Sequence, residues 1–306
     1  MTRRRAHEAA AALLLLGATR AVGQAPTYRS ETRLVVLHAS VTNKRGELVT
    51  NLDERAFSVF ENGRRQPITL FRRDDIPVSI GLLIDNSGSM RSLRPKVEAA
   101  ALAFARASNP DDEMFVLNFA DKVRLDVPMT SDLQVLERGI ARVDSIGGTA
   151  MRDAVDVAET YLRDHARQDR RVLLVITDGI DNASTATADV VQRHAERTAT
   201  VVDALGLFLN QDDGRAHTGR HELKELTERT GGIAYFPESV EQIETAAVEV
   251  ARQIRSQYTI AYAPANQALD GSYRSIRVTV DGPDRYTIRT RPGYRAAAEP
   301  ASLERR

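Results

Sequence analysis

Three short segments of the chain place carboxylate and hydroxyl side chains where metal chemistry could occur. Asp85, Ser87 and Ser89 alternate directly after the apolar run at residues 78–84. Thr149 follows two glycines, and Asp178 follows another apolar run. Oxygen donors that carry few charges are the ligands that a hard divalent cation such as Mg²⁺ prefers. These five residues therefore predict a divalent-metal site.

Helix capping is the alternative explanation for the same residue types. Asp, Ser and Thr at the start of a helix accept hydrogen bonds from its first backbone N–H groups. Asp85 with Ser87, and Thr149 with Asp153, could act in this way. For one segment alone the two explanations are balanced. Three such segments, each following a predicted strand or opening a predicted helix, favour a metal site over helix capping alone.

The region between residues 77 and 257 alternates predicted strands with predicted helices. Apolar runs occur at 78–84, 114–119, 172–176, 201–207 and 233–236, and helical patterns occur at 93–107, 132–143, 152–165, 188–198, 222–230 and 240–256. This pattern predicts an α/β domain with a doubly wound, mainly parallel sheet covered on both faces. Residues 123–127 follow the second strand so closely that they are predicted to form an antiparallel edge. Ligands of such sheets bind beyond the carboxyl ends of the strands, where the five residues lie.

The two flanking regions, residues 24–76 and 258–296, alternate apolar and polar residues as half-buried strands do. Asn62-Gly63 predicts a hairpin turn that leads into Ile68 and Leu70. Neither flank has enough strands to bury a core alone. We therefore expect both flanks to pair into one small β-sandwich, with the α/β domain inserted between them.

Residues 1–23 are predicted to be a signal peptide. Three arginines precede the apolar run at residues 9–18, and small residues precede a cleavage point before Gln24. The chain has no cysteine, which excludes structural disulfides and zinc–thiolate sites. The protein is therefore expected to be exported to a periplasm or secreted. Residues 297–306 are predicted to be a disordered tail.

Charge and hydropathy exclude two classes of partner. The sequence has 42 basic and 42 acidic residues, and residues 1–23 hold four arginines and one glutamate, so the remainder carries 38 and 41. The charges are interspersed without a basic block, so no nucleic-acid partner is predicted. No segment after the signal peptide is long and apolar enough for a predicted membrane span.

The motif Asp85-x-Ser87-x-Ser89, with Thr149 and Asp178, resembles the metal-ion-dependent adhesion site of von Willebrand factor type A (VWA) domains. Further segments resemble the exported bacterial "VWFA-related" proteins known mainly from acidobacteria. They are L-x₃-A-F-x-V-x-E-x-G-x₂-Q-x-I at residues 52–68, Thr230-Gly231-Gly232, Gln257-Tyr258 and Arg291-Pro292-Gly293-Tyr294. With these segments, the resemblance extends from about residue 30 to about residue 295.

The resemblance implies a role for each of the five residues. Ser87 and Ser89 would bind the metal directly, and Thr149 would do so in the high-affinity state. Asp85 and Asp178 would bind directly or through water. The metal would be Mg²⁺, with Mn²⁺ or Ca²⁺ as alternatives, and its open position would accept an acidic side chain of a protein partner.

The predicted function is therefore a metal-dependent protein-binding or adhesion module, and no enzymatic activity is predicted. One alternative is a scaffold with a structural metal, and another is a metal-dependent hydrolase. A haloacid dehalogenase-type phosphotransferase would need an aspartate at Ser87, and a Ser hydrolase would need a G-x-S-x-G turn there. His217 and His221 are assigned to a solvated loop at residues 210–221 rather than to a second metal site. Asp203, which interrupts an apolar run, has no assigned role.

Overall fold

The protein is described from a computed structural model over residues 33–141, 146–209, 214–282 and 285–296. The predicted signal peptide and the predicted tail lie outside the described residues. In chain order, the strands are β1 (Val35–Thr42), β2 (Phe57–Glu61), β3 (Arg64–Gln66), β4 (Ile68–Arg72), β5 (Ser79–Asp85), β6 (Glu113–Phe119), β7 (Val123–Thr130), β8 (Arg171–Thr177), β9 (Val201–Gly206), β10 (Ala234–Tyr235), β11 (Tyr258–Tyr262), β12 (Tyr273–Val280), β13 (Thr287–Arg289) and β14 (Gly293–Arg295). The α-helices are α1 (Arg94–Ala107), α2 (Leu133–Ile140), α3 (Met151–His165), α4 (Ala188–Thr198), α5 (Gly214–Thr230) and α6 (Gln242–Arg255).

The α/β domain is built on a sheet with the strand order β10-β9-β8-β5-β6-β7. All neighbours are parallel except β6 and β7, which are antiparallel. Every residue of β5 and β6 is buried, because helices cover both faces of the sheet with two separate apolar cores. The predicted doubly wound sheet and its antiparallel edge strand are confirmed.

The two flanks form a sandwich of two antiparallel sheets, with the orders β13-β1-β11-β4 and β14-β12-β2-β3. In the first sheet, the C-terminal strand β11 lies between β1 and β4 of the N-terminal flank, and Leu37 pairs with Ile260. In the second sheet, the C-terminal strand β12 pairs with β2 of the N-terminal flank, with Val59 opposite Val278. The inward side chains of both sheets share one apolar core. The prediction that both flanks build one sandwich is therefore confirmed.

The Asn62-Gly63 turn joins β2 to β3, and both turn residues have positive φ, 48° and 78°. This is the backbone form that an Asn-Gly hairpin turn requires. The strand of Ile68 and Leu70 does not continue this hairpin. It is β4, which pairs with β11 in the other sheet, so the chain changes sheets at Pro67.

Two of the segments that carried the wider family resemblance, Thr230-Gly231-Gly232 and Arg291-Pro292-Gly293-Tyr294, contact each other where the α/β domain meets the sandwich. Gly231 has φ +87°, and a Cβ there would lie 2.3 Å from the backbone N of Arg291. Gln257 accepts a hydrogen bond from the buried guanidinium of Arg170, whose Nη2 also donates to Ile254 O. These segments therefore join the two parts of the fold.

Asp203 lies in β9 and belongs to the same junction. Its Oδ1 accepts a 2.8 Å hydrogen bond from the backbone N of Ile233, and the side chain is buried. Burial raises its pKa to about 6, although that hydrogen bond and the charges of Arg170 and Arg289 oppose the shift. Asp203 therefore holds the Gly231-Gly232 turn against the end of the sheet.

The assignment of residues 210–221 to a loop is wrong from Gly214 onward, because α5 begins there. His217 and His221 are exposed on this helix. Its first turns carry little apolar signal: Ala216 is buried, and Gly219 packs against Phe208, where a Cβ would lie 2.6 Å from the ring. Two glycines in eight residues hid the helical pattern in the sequence. Residues 210–213 lie outside the described part of the chain.

Candidate metal site

The five candidate ligands are placed by the ends of two adjacent parallel strands and by one loop. Asp85 is the last residue of β5, and Asp178 directly follows β8. The two strands pair in register, with Ile84 opposite Ile176, so their carboxyl ends meet at one edge of the sheet. Parallel pairing therefore brings the two carboxylates to the same edge, as the sequence predicted.

Asp85 lies at the base of the site and has no exposed surface. Its Oδ1 accepts a 2.8 Å hydrogen bond from the backbone N of Ser87, and its Oδ2 accepts a 2.5 Å bond from Thr177 Oγ1. Burial raises the pKa of this carboxyl to about 6, and the charge of Asp178 adds to the shift while both hydrogen bonds oppose it. A cation bound beside Asp85 would reverse this effect, because a positive charge favours the carboxylate.

The two serines connect Asp85 to Asp178. Ser87 Oγ lies 3.1 Å from Ser89 Oγ, and Ser89 Oγ donates a 2.7 Å hydrogen bond to Asp178 Oδ1. Ser87 is buried, whereas Ser89 is exposed. Burial raises the pKa of Asp178 as well. The oxygens thus run from a buried base to the solvent-facing edge of the sheet.

Thr149 joins this group across Gly179. A Cβ placed on Gly179 would lie 3.0 Å from Thr149 Oγ1 and 3.7 Å from Asp85 Oδ2. Because glycine has no side chain, the two candidate ligand groups can approach the same stretch of backbone. Thr149 is fixed by Asn182, whose Oδ1 accepts from the Thr149 backbone N at 2.9 Å and whose backbone N donates to Thr149 O at 3.0 Å.

Helix capping does not explain these residues. The Ser87 side chain makes no capping hydrogen bond, and α3 begins after Ala150, which has no side chain able to cap. The first turn of α3 is instead capped by Asp181, which accepts a 2.7 Å bond from the backbone N of Arg152. Asp153 accepts from the backbone N–H groups of residues 185 and 186. The hydroxyls of Ser87 and Thr149 are therefore not used as helix caps.

Sequence reasoning missed the residues that support the candidate ligands. Thr177 Oγ1 donates to Asp85 and accepts from the backbone N of Gly179 at 3.1 Å, so it fixes both strand ends. The sequence signal that could have indicated this role of Thr177 is its position directly before Asp178.

Arg94 is a second support, and it is buried at the start of α1. Its Nη1 donates to Asn86 Oδ1 at 2.9 Å, and its Nη2 donates to Ile140 O at 2.8 Å. The residue between Asp85 and Ser87 is therefore anchored to α2. Nothing in the local sequence indicates this long-range contact.

The candidate site has few charged groups, and the rest of the described chain offers no denser cluster. Within residues 33–141, 146–209, 214–282 and 285–296, no group of three or more His, Cys, Asp or Glu side chains is close enough to hold a metal. The candidate site has two carboxylates and three hydroxyls, so it does not contain three side chains of these four types. In the same ranges, no helix has the length and apolar character needed to cross a membrane.

Comparison with known proteins supports the assignment of the fold. Residues 80–180 match the family model of the von Willebrand factor type A domain. No curated protein matches the chain.

Three solved structures illustrate the likeness. A von Willebrand factor type A protein from Catenulispora acidiphila has a TM-score of 0.52 and 13% identity, over 88% of this chain and 74% of that chain. Proximal thread matrix protein 1 of the mussel byssus, in a structure with a zinc-occupied MIDAS motif, has a TM-score of 0.51 and 18% identity, over 64% of this chain and 50% of that one. The conserved hypothetical protein BatB from Bacteroides thetaiotaomicron has a TM-score of 0.48 and 18% identity, over 58% of this chain and 98% of that chain.

All five candidate ligands lie within the matched segment, and the sheet around them has the fold of the Catenulispora acidiphila protein. Residues 80–180 therefore match the von Willebrand factor type A domain model, and the α/β domain that contains them has that fold.

Proposed function

We propose that the protein is a divalent-metal-dependent protein-binding module. Asp85, Ser87, Ser89, Thr149 and Asp178 would hold Mg²⁺, with Mn²⁺ and Ca²⁺ as alternatives. When bound, the ion supplies an electrophilic position that accepts the carboxylate of a partner protein. The observation that carries this proposal is the arrangement of these oxygens in one group that ends at the exposed Ser89.

The donor set fits a hard divalent cation. It contains two carboxylates, which neutralise the two charges of the ion, and three hydroxyls, which add none. The pKa of each carboxyl is raised by burial, so each gains from a nearby cation. The absence of nitrogen and sulfur donors disfavours zinc. Zinc is nevertheless a necessary comparison, because it occupies the MIDAS motif in a structure of the mussel protein.

Export remains part of the proposal. The predicted signal peptide at residues 1–23 supports a periplasmic or secreted protein that meets its partner outside the cytoplasm. Sequencing the N-terminus of the protein recovered from its native host tests this. The expected first residue is Gln24, and recovery of the uncleaved chain would contradict it.

A binding role is favoured over catalysis because metal-assisted hydrolysis needs a general base beside the ion. In the described residues, no histidine is hydrogen-bonded to a candidate ligand. Asp85 and Asp178 are themselves ligands. The hydrolase alternative predicts metal-dependent turnover of an ester or phosphate, which a panel of chromogenic substrates would detect.

Calorimetric titration with MgCl₂, MnCl₂, CaCl₂ and ZnCl₂ tests the metal site directly. We expect one site in the wild type, no binding by Asp85→Ala and strongly weakened binding by Ser87→Ala. Ser92→Ala is the matched control, because Ser92 is exposed in the same turn and is not a candidate ligand. Equal binding by wild type and Asp85→Ala would overturn the assignment.

Partner capture separates the binding role from a structural metal. Immobilised wild type and Asp85→Ala are exposed to the exported proteins of the host in Mg²⁺ and in EDTA. We expect a defined protein to be retained only by the wild type in Mg²⁺, and one acidic-to-amide substitution in that protein to abolish retention. Capture that persists in EDTA, with lowered stability of the module, would support the scaffold alternative.

A further inference from the structure

The second sheet of the sandwich, with the order β14-β12-β2-β3, is incomplete beside β2. This strand has five residues, but its edge neighbour β3 pairs with only three of them, and the last pair joins Val59 to Gln66. In the part of the chain that the structure describes, no strand continues β3 opposite Ser58 and Phe57. Two strand positions beside β2 are therefore open.

The chain leaves this sheet at Pro67, directly after β3. The next residue, Ile68, begins β4 and pairs with Tyr262 in the other sheet. Proline has no N–H group, so it cannot donate a ladder hydrogen bond to a neighbouring strand. The change of sheet and the proline together prevent the chain itself from extending β3.

The backbone of β2 has a free acceptor on the side of the open positions. Ala56 O accepts a 2.8 Å hydrogen bond from the backbone N of Asp281, so Ala56 and every second residue after it face β12. In an antiparallel ladder, the residues between them face the opposite side. Phe57 therefore directs its C=O toward the open positions, whereas its N–H donates to Glu54 O.

A cavity of about 490 Å³ lies at these open positions. We call it the edge slot and define it by Arg55, Phe57, Ser58, Arg65, Pro67 and Ile68. The side chains of Phe57, Pro67 and Ile68 supply apolar surface, and no candidate metal ligand lines the slot. The edge slot is therefore a concave site of the sandwich, separate from the metal site of the α/β domain.

The charges of the edge slot are not neutralised within the fold. Arg55 and Arg65 are exposed, and neither guanidinium forms a hydrogen bond or an ion pair with another described residue. Among the described residues that line the slot, Glu54 supplies the one carboxylate, so two arginines face one acid. Guanidinium groups bind carboxylates through paired, charge-assisted hydrogen bonds. The slot therefore favours a partner that carries a carboxylate.

The side chains of a strand added beside β2 would enter two different environments, because successive side chains point to opposite faces. Arg65 lies opposite Phe60 on the outer face, so an added residue opposite Ser58 would lie on the same face and in line with Arg65. The added residue opposite Phe57 would point inward, toward the apolar lining. The slot therefore fits an acidic residue that is adjacent to an apolar one.

We propose that the edge slot binds an extended segment of a partner protein, in which an acidic residue adjoins an apolar one, as an added strand beside β2. The carboxylate binds Arg55 and Arg65, and the apolar side chain packs against Phe57 and Ile68. A strand edge is extended in this way through main-chain hydrogen bonds, and alternate side chains give specificity. The sandwich then has a binding role of its own.

The test measures binding of a fluorescently labelled peptide, VEVE with blocked ends, to the full chain in EDTA at low ionic strength. We expect saturable binding that weakens as NaCl is added. Arg65→Glu should weaken it by roughly tenfold, because it replaces a charge-assisted donor with a repelling carboxylate. Arg64→Glu is the matched control, since Arg64 is an exposed arginine of the same strand that does not line the slot.

Two altered peptides separate strand addition from attraction between charges. Methylation of the backbone nitrogens of VEVE keeps its charge but removes the donors of a β ladder, so we expect binding to be lost. The peptide VKVK keeps the alternation but reverses the charge, so it should bind roughly tenfold more weakly or not at all. Circular dichroism of each protein variant confirms that it is folded.

Three results would overturn the proposal: no binding of VEVE by the wild type, equal binding of the methylated peptide, or equal weakening by Arg64→Glu and Arg65→Glu. Sedimentation of the chain alone tests a different occupant. Dimers that Arg65→Glu abolishes and VEVE dissociates would show that a second copy fills the slot, which also contradicts the proposal. Because EDTA is present throughout, no result depends on the proposed metal site.

Discussion

Thr177 Oγ1 donates a 2.5 Å hydrogen bond to Asp85 Oδ2 and so ties the end of β8 to the end of β5 beneath the candidate metal site. The same hydroxyl accepts from the backbone N of Gly179, where an added Cβ would lie 3.0 Å from Thr149 Oγ1. One side chain outside the candidate ligand set therefore joins the segment of Asp85 to the segment of Asp178, which lies beside Thr149.

Removing this hydroxyl should weaken metal binding without unfolding the domain. Thr177→Val keeps the shape of the side chain but leaves Asp85 with one fewer hydrogen bond. Loss of a group that orients a metal ligand typically lowers metal affinity by roughly tenfold or more. Loss of a buried hydrogen bond to a charged group costs about 1–3 kcal/mol. Mg²⁺ titration and urea unfolding measure the two effects.

Thr177→Ser is the control for this substitution, because it keeps the hydroxyl and removes only a methyl group. We expect it to retain most of the metal affinity. If Thr177→Val and Thr177→Ser bind Mg²⁺ equally well, the hydroxyl has no positioning role.

The two glycines of the site should respond differently to a methyl group. A Cβ on Gly179 would lie 3.0 Å from Thr149 Oγ1, which is closer than normal contact, so Gly179→Ala should displace Thr149. We expect roughly tenfold weaker Mg²⁺ binding. A Cβ on Gly88 would lie 3.9 Å from its nearest neighbour, Gly147 O, so Gly88→Ala should bind Mg²⁺ as the wild type does.

Calorimetric titration of both variants, with circular dichroism to confirm folding, checks this pair. Equal affinities for Gly179→Ala and Gly88→Ala would show that Thr149 need not remain against residue 179.

The junction of the α/β domain with the sandwich should be intolerant of a side chain at Gly231. This residue has φ +87°, and its Cβ would lie 2.3 Å from Arg291 N, a backbone atom in the short connection between β13 and β14. Left-handed backbone costs an alanine about 1–2 kcal/mol, and the overlap adds to this. We expect Gly231→Ala to lower the free energy of unfolding by roughly 3 kcal/mol or more.

Gly46→Ala separates the two contributions. Gly46 has φ +79° and nothing within 4 Å of an added Cβ, so this variant should lose only the conformational part, about 1–2 kcal/mol. Urea unfolding at one temperature compares the two. Equal losses would mean that the contact with Arg291 contributes nothing.

Glu159 should make stability depend on pH. It is 1% exposed on α3, and neither carboxyl oxygen has a hydrogen-bond partner among the described residues. Burial, with a smaller effect from Asp156, raises its pKa well above the ordinary value. The folded protein therefore holds a proton that the unfolded chain releases above about pH 4.5. Stability should fall as the pH rises from there towards the folded-state pKa.

Replacing this carboxyl with an apolar group should reverse that loss. We expect Glu159→Leu to be more stable than the wild type by about 1–3 kcal/mol at pH 7, and the difference should shrink towards pH 4. Glu159→Gln removes the titrating carboxyl but keeps two buried polar atoms. Its stability should therefore vary less with pH than that of the wild type, but it should gain less stability than Glu159→Leu. Unfolding curves between pH 4 and pH 8 measure this. A wild-type profile parallel to that of Glu159→Leu would contradict the assignment.

The sequence allowed the layout of the fold and the choice of candidate ligands to be predicted, because both depend on local signals. Apolar runs marked β5, β6, β8 and β9, and short polar motifs followed β5 and β8. The contacts of Thr177 and Arg94 were not predicted, because their partners are brought together only by the folded sheet.

The start of α5 was missed for a different reason. Gly214 and Gly219 disfavour a helix locally, and the packing of Gly219 against Phe208 outweighs that preference in the folded chain. The segments Thr230-Gly231-Gly232 and Arg291-Pro292-Gly293-Tyr294 were recognised by resemblance, but their mutual contact became visible only in the structure.

The interleaving of the two flanks sets an order for assembly of the chain. β11 lies between β1 and β4, and β12 lies between β2 and β14, so no sheet of the sandwich is complete until the C-terminal strands have been delivered. The α/β domain, by contrast, has all its strands by Tyr235. A nascent chain can therefore fold its central domain while β1 and β4 still expose unpaired edges, which makes this interval the one most open to aggregation or to protection by a chaperone.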